Sequence, residues 1–229
     1  MPLDVSRIRA LCFDIDGTLS NSDDQMVAQL SRVLHPIRIL LPGKNSHRTA
    51  RRLVMASEAP ANFFMGLPDL VGADGPIFAL VDWSARTFHT RPKKYWLIHE
   101  VRQMLADLSQ RYPLAVVSAR DARTTGDFLA QFKLQPFFRC IATAQTCEHT
   151  KPFPDPVLWA AQQMGVRPEA CLMIGDTNVD IRAGRAAGAQ TVGVLCGFGE
   201  EAELRRNGAD MILTETAELT QVLKEQDSH

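Results

Sequence analysis

The sequence predicts an α/β protein whose parallel sheet is interrupted, just after its first strand, by a helical insertion. Three observations carry this. From Lys94 onward, apolar runs of strand length alternate with helical patterns, the signature of right-handed βαβ crossovers. An earlier run, Leu11-Cys12-Phe13, has the same character and ends abruptly in Asp14-Ile15-Asp16-Gly17-Thr18. Between the two, over residues 20–90, little looks like a strand.

The run at 11–13 reads as a buried strand because it is apolar on both alternating sets of positions. Two carboxylates one residue apart then follow, and two readings are open: charge delivered to the working edge of a sheet, or an ordinary Asp-Gly turn. Ser20-Asn21-Ser22-Asp23-Asp24 is a capping-type stretch, after which Val27, Leu30, Leu34 and Ile37 recur at helical spacing. Pro42-Gly43 breaks that helix, Asn45 or Ser46 caps the next, and a further helix is expected over about residues 77–88. His47, Arg48, Arg51 and Arg52 read as a solvated helix face, and Phe63-Phe64-Met65 as packing inside the insertion.

Beyond the insertion, 96–108 is an amphipathic helix with Val101, Leu105 and Leu108 on one stripe. Leu114-Ala115-Val116-Val117 is a strand ending at Ser118-Ala119-Arg120, followed by a helix over 124–132. Further strands are expected at 140–143, 171–174, 191–195 and 211–213, with helices at 157–164, after Asp176 up to Gly188, and at 200–207. Trp83, Trp96 and Trp159 read as core or junction residues, and His35 and His89 as structural or exposed.

The 229 residues carry 45% hydrophobic and 22% charged side chains and a formal net charge of -1, so neither a nucleic-acid footprint nor a polybasic membrane patch is expected. Residues 1–10 hold Asp4, Arg7 and Arg9 and no apolar core of a signal peptide, and no apolar run reaches membrane-spanning length. Five cysteines without a CxxC pair fit reduced thiols, and a cytoplasmic location is expected.

Four polar signatures follow or closely trail four successive expected strands: Asp14/Asp16, Ser118, Lys151, and Asp176 with Asp180. In a parallel sheet all project from one edge. Carboxylates gathered there repel one another unless a divalent cation joins them, and an all-oxygen shell suits Mg2+. Lys151 supplies positive charge for an anionic substrate, and Ser118 with backbone N–H groups can hold phosphate oxygens. Paired aspartates can divide the work of nucleophile and acid/base. The residues point to metal-assisted phosphoryl transfer.

These motifs resemble those of the haloacid dehalogenase-like hydrolase superfamily: Asp14-Ile15-Asp16-Gly17-Thr18-Leu19, Ser118, Lys151-Pro152-Phe153-Pro154-Asp155, and Gly175-Asp176-Thr177 with Asp180 and the following Ala183-Gly184 to Gly188. Leu204 and Gly208-Ala209-Asp210 resemble the family's common close. The resemblance implies a doubly wound, Rossmann-like parallel sheet over 1–19 and 91–229, with 20–90 as a small type-1 helical cap in the manner of phosphoglycolate phosphatases. It further implies Asp14 as the nucleophile that forms an aspartyl-phosphate, and Asp16 as general acid/base. Ser118, the Ala119 N–H and Lys151 would bind the phosphoryl group. Asp14, Asp16 through its carbonyl, Asp176 and Asp180 would surround Mg2+, with Asp180 a ligand through water or an orienter of Lys151. Thr18 would support the loop.

The dehalogenase branch lacks a carboxylate at the position of Asp16. A small phosphorylated metabolite, phosphoglycolate-like or a sugar phosphate, is therefore the expected substrate. A phosphomutase and a catalytically silent phosphometabolite-binding module are the alternatives, and monomer and homodimer stay equally open. Two departures stand out. Ala119 replaces the family's frequent Asn, and 91–96 reads Arg-Pro-Lys-Lys-Tyr-Trp where relatives often have Pro-Gly.

Overall fold

A computed structural model of the chain describes residues 2–21, 35 and 95–225. The chain divides into two compact units, Met1–Asp23 with Tyr95–His229, and Asp24–Lys94. The expected helices of 20–90, the 47–52 basic cluster, Phe63-Phe64-Met65, Trp83, His89 and the re-entry residues 91–94 lie outside the described residues.

Six parallel strands form the first unit's sheet: β1 (Ala10–Phe13), β2 (Leu114–Val117), β3 (Phe138–Ala142), β4 (Cys171–Gly175), β5 (Gln190–Val194) and β6 (Met211–Leu213). Their order is β3-β2-β1-β4-β5-β6. This is the doubly wound arrangement, and its connections reverse direction beside β1. The crevice at such a switch point opens at the strands' C-terminal ends. Phe13 lies opposite Val116 on one side and Ile174 on the other, so the chain leaving β1 emerges between β2 and β4.

Both faces are covered, which explains the unbroken apolar runs. Leu11 and Phe13 pack with Val116 and Ile174 beneath α1 (Val101–Leu108), α2 (Ala122–Gln131) and α6 (Leu219–Glu225), through Leu105, Phe128 and Leu223. Ala10, Cys12, Ala115 and Met173 face α3 (Asp155–Met164) and α4 (Asn178–Ala186), through Ala160 and Ala183. The small residues on this second face let those helices approach closely. Helix α5 (Glu201–Arg206) precedes β6.

Several expected boundaries move. Helix α1 begins at Val101 rather than 96, because Leu97 bridges antiparallel to Ser20 and Glu100 sits at φ 60 in the left-handed region. Helix α3 begins at Asp155, where Pro156 stands at a position that needs no N–H donor. Helix α6 extends the fold past the last expected strand. Trp96 is 42% exposed rather than core. All five cysteines are free thiols. Among the described residues no helix is long and apolar enough to cross a membrane.

Helix α2 carries a cap that yields a stability prediction. Asp121 Oδ1 accepts the N–H groups of Arg123 and Thr124, and Oδ2 accepts the Thr124 hydroxyl at 2.6 Å. The Thr124 hydroxyl, then these N–H groups, hold the Asp121 carboxyl below its ordinary range. A value lower in the folded than in the unfolded chain stabilises above the unfolded value of about 3.9, and that stabilisation is lost as pH falls through the folded value. Asp121→Ala is therefore expected to lose about 1 kcal/mol at neutral pH. Urea unfolding should show the gap to wild type narrowing under acid conditions below the unfolded value. A gap that stays constant into acid would contradict this account.

Candidate active site

The chain leaving β1 turns at once. Ile15 O accepts N–H bonds from Leu19 and Ser20, both at 2.8 Å, and Gly17 adopts φ +69. That turn keeps Asp14 on the sheet edge, where its N–H still bonds Ile174 O, and swings Asp16 outward. Thr18 is fully buried, and its carbonyl accepts the Thr216 hydroxyl at 2.6 Å, tying the loop to the segment after β6.

Lys151 reaches the same point from the loop before α3. Its Nζ donates to Asp14 Oδ1 and to Asp180 Oδ1, each at 2.6 Å, and all three side chains are buried. The second oxygen of Asp180 accepts both the N–H and the hydroxyl of Thr177, at 3.1 and 2.8 Å. The start of α4 thus aims Asp180 at Lys151 and leaves both of its oxygens engaged.

Asp176 follows β4 directly, on the strand neighbouring β1. Its Oδ2 accepts the Phe198 N–H at 2.7 Å. A Cβ at Gly17 or at Gly197 would come within 2.2 Å of that same oxygen, so glycine is required at both positions for the loops to close around it.

Carboxylate oxygens of Asp14, Asp176 and Asp180 lie within 4.8 Å of one another. Burial pushes the Asp14 carboxyl up to about 7, against the pull of Lys151. Burial also works against the Lys151 ammonium, but Asp14 and Asp180 outweigh it and raise its pKa well above the ordinary value.

Asp16 stands apart from that cluster and is paired with Arg120. The Arg120 Nε–H donates to Asp16 Oδ2 at 2.5 Å, and an Nη2 N–H donates to Oδ1. Burial opposes the guanidinium charge, yet the Asp16 carboxylate more than offsets it and raises the Arg120 pKa. Ser118, buried just past β2, accepts the Arg120 N–H at 3.1 Å, and Ala119 between them is exposed.

The expected residues therefore fall into two connected groups: Asp14, Lys151, Asp176 and Asp180 in one, and Asp16 with Ser118 through Arg120 in the other. Arg120 is the residue that sequence reasoning passed over. Its only signal was a charge two positions beyond Ser118.

With Asp16 and Arg120 included, the described residues of this edge are four carboxylates against two cations, a formal excess of two negative charges. Hard oxygen donors in negative excess fit a divalent cation such as Mg2+.

The sequence profile of the haloacid dehalogenase-like hydrolases matches residues 11–194, from β1 to the end of β5. The chain belongs to this family.

A protein named pyrophosphatase PpaX from Anoxybacillus flavithermus is 29% identical over 94% of this chain and 97% of its own length. A solved hydrolase of the family from Streptococcus pneumoniae superposes with a TM-score of 0.72 at 22% identity, covering 96% of this chain and 100% of the other. A structure from Haemophilus somnus, described as a predicted phosphoglycolate phosphatase, gives a TM-score of 0.66 at 20% identity, covering 95% and 99%. These two structural likenesses establish the haloacid dehalogenase-like fold.

Proposed function

We propose that the protein is a Mg2+-dependent phosphatase that releases phosphate from a small phosphorylated metabolite through an aspartyl-phosphate on Asp14. One observation carries the reading: a buried lysine bridges Asp14 and Asp180 beside a third carboxylate, Asp176, at the open end of a parallel sheet. The names of a relative, a pyrophosphatase, and of a structural neighbour, a predicted phosphoglycolate phosphatase, support a phosphorylated substrate.

Asp14 attacks phosphorus with its carboxylate oxygen. The bond to the leaving oxygen breaks with its electron pair on that oxygen, which takes a proton from Asp16. Asp16 then removes a proton from the water that attacks the aspartyl-phosphate, and Asp14 is regenerated. Lys151, Ser118 and the Ala119 N–H hold the phosphoryl oxygens, and Asp180 holds Lys151 in place. Asp14, Asp176 and the Asp16 main-chain carbonyl would hold Mg2+, which when bound neutralises charge on the phosphoryl oxygens.

The reading is tested by phosphate release from p-nitrophenyl phosphate and a panel of phosphometabolites, with Mg2+ and with EDTA. Turnover is expected with Mg2+ and is expected to fall to background on chelation. Equal rates in EDTA would sink the metal-dependent mechanism.

A further inference from the structure

The function above asks Asp16 to act on the leaving oxygen, yet the fold keeps both of its oxygens occupied. Arg120 grips them with Nε and Nη2 in a fork, the strongest form of carboxylate recognition by a side chain. A carboxyl oxygen that hands over a proton acts as a donor, and a donor directed at a guanidinium N–H is repelled. The pair has to open before the leaving group can be served.

Opening it does not require the guanidinium to travel. Arg120 lies 5.3 Å over the Tyr95 ring and 5.5 Å over the Phe128 ring. Those rings pack edge to face at 5.8 Å, and the Gln131 amide holds the Tyr95 backbone, with Nε2 donating to Tyr95 O at 3.0 Å. The Arg120 backbone is fixed in turn by Ser118. The aromatic contacts stabilise the cation in place, independently of Asp16.

What the guanidinium does require is another anion. With 13% of its side chain exposed, giving up Asp16 is costly unless another anion takes that place. The other described cation of this edge, Lys151, is engaged by Asp14 and Asp180. A negative group carried one or two bonds beyond the leaving oxygen would lie beside Asp16, within reach of the fork.

We propose that Arg120 is a specificity-determining residue: it rests on the Asp16 carboxylate in the free protein and transfers its fork to an anionic group on the leaving part of the substrate, releasing Asp16 to take up a proton from solvent and pass it to the leaving oxygen. The preferred substrates are thereby phosphoesters or phosphoanhydrides whose leaving group carries its own negative charge. A neutral leaving group offers the guanidinium nothing and leaves Asp16 clamped. The inference rests on the phosphatase reading and on Asp16 as acid/base.

Matched substrates test it in the full-length protein with Mg2+. 2-Phosphoglycolate and pyrophosphate carry a charged leaving group, while 2-hydroxyethyl phosphate and methyl phosphate serve as neutral counterparts. Wild type is expected to favour the charged set in kcat/KM by at least about 100-fold, with about 10⁴–10⁵-fold as the upper scale for a site that must engage a polar group of its substrate. Arg120→Met is expected to collapse that ratio to within about threefold, with the neutral set rising as Asp16 is unclamped and the charged set falling as its anion loses the fork. Arg120→Gln, which keeps an amide donor without the charge, should do the same and carries the test if the Met variant does not fold.

A wild type without preference overturns the proposal. So does a preference that survives in the variants, including the case where both sets fall equally, which would make Arg120 a positioning residue of Asp16. Failure of the phosphatase reading looks different: wild type would then release no phosphate from either set or from p-nitrophenyl phosphate.

Discussion

Asp14→Asn is expected to reduce phosphate release by at least about 10⁴-fold, the scale on which loss of a nucleophile is felt. The amide has the carboxylate's shape and can still accept from Lys151 Nζ, so the drop would report lost chemistry rather than lost structure. The site already disfavours charge at this position, where burial pushes the carboxyl up to about 7. A neutral replacement is therefore well tolerated, and thermal unfolding should show a folded variant. Full activity in this variant would remove Asp14 from the mechanism. Rapid-quench trapping of phosphate on the wild-type protein, absent in the variant, would locate the covalent step.

Lys151→Met should act on stability as well as rate. The substitution roughly preserves volume, so little of its effect comes from a cavity. It removes the ammonium 2.6 Å from both Asp14 and Asp180 and leaves two buried carboxylates facing each other with Asp176 beside them. Breaking a buried pair from one side is expected to cost about 3–5 kcal/mol in metal-free protein. Under the proposed function Mg2+ becomes the remaining counter-charge, so its addition should recover part of the loss. Denaturant unfolding with and without Mg2+ measures both. An unchanged metal-free stability would mean that the lysine bridge contributes nothing.

The strands and most of the candidate site residues were legible because each obeys a local rule. A parallel strand buried on both faces shows itself as an apolar run, and the polar residue ending the run marks the working edge. Asp14, Ser118 and Asp176 follow that rule. Lys151 and Asp180 were found by their spacing from the neighbouring strand ends. Arg120 was not legible in this way. Its bond to Asp16 spans 104 positions and exists only because β2 lies beside β1, while the rings that hold it come from Tyr95 and α2.

The start of α1 was misread for a related reason. Ile98 is buried and lies one helical step before Val101, so it extends the apolar stripe although its backbone is tied to Leu19. Helix α6 could have been found: Leu219 and Leu223 are four apart, and both are fully buried. The helical reading of 20–90 rests on periodicity alone.

The excess of negative charge at the sheet edge also has a thermodynamic corollary. Under the proposed function, the four carboxylates and two cations described there would repel a phosphate dianion until a divalent cation had entered. Ligands would then arrive in sequence, cation before phosphoester, and product phosphate would leave before the cation. Linkage makes the effect reciprocal: whatever factor Mg2+ adds to phosphate affinity, phosphate adds to Mg2+ affinity, and about 5–150-fold is the usual span for such coupling. Calorimetric titration of inorganic phosphate in EDTA and in saturating Mg2+ is expected to show that factor. Equal affinities in the two conditions would mean that the charge at the edge is balanced in some other way.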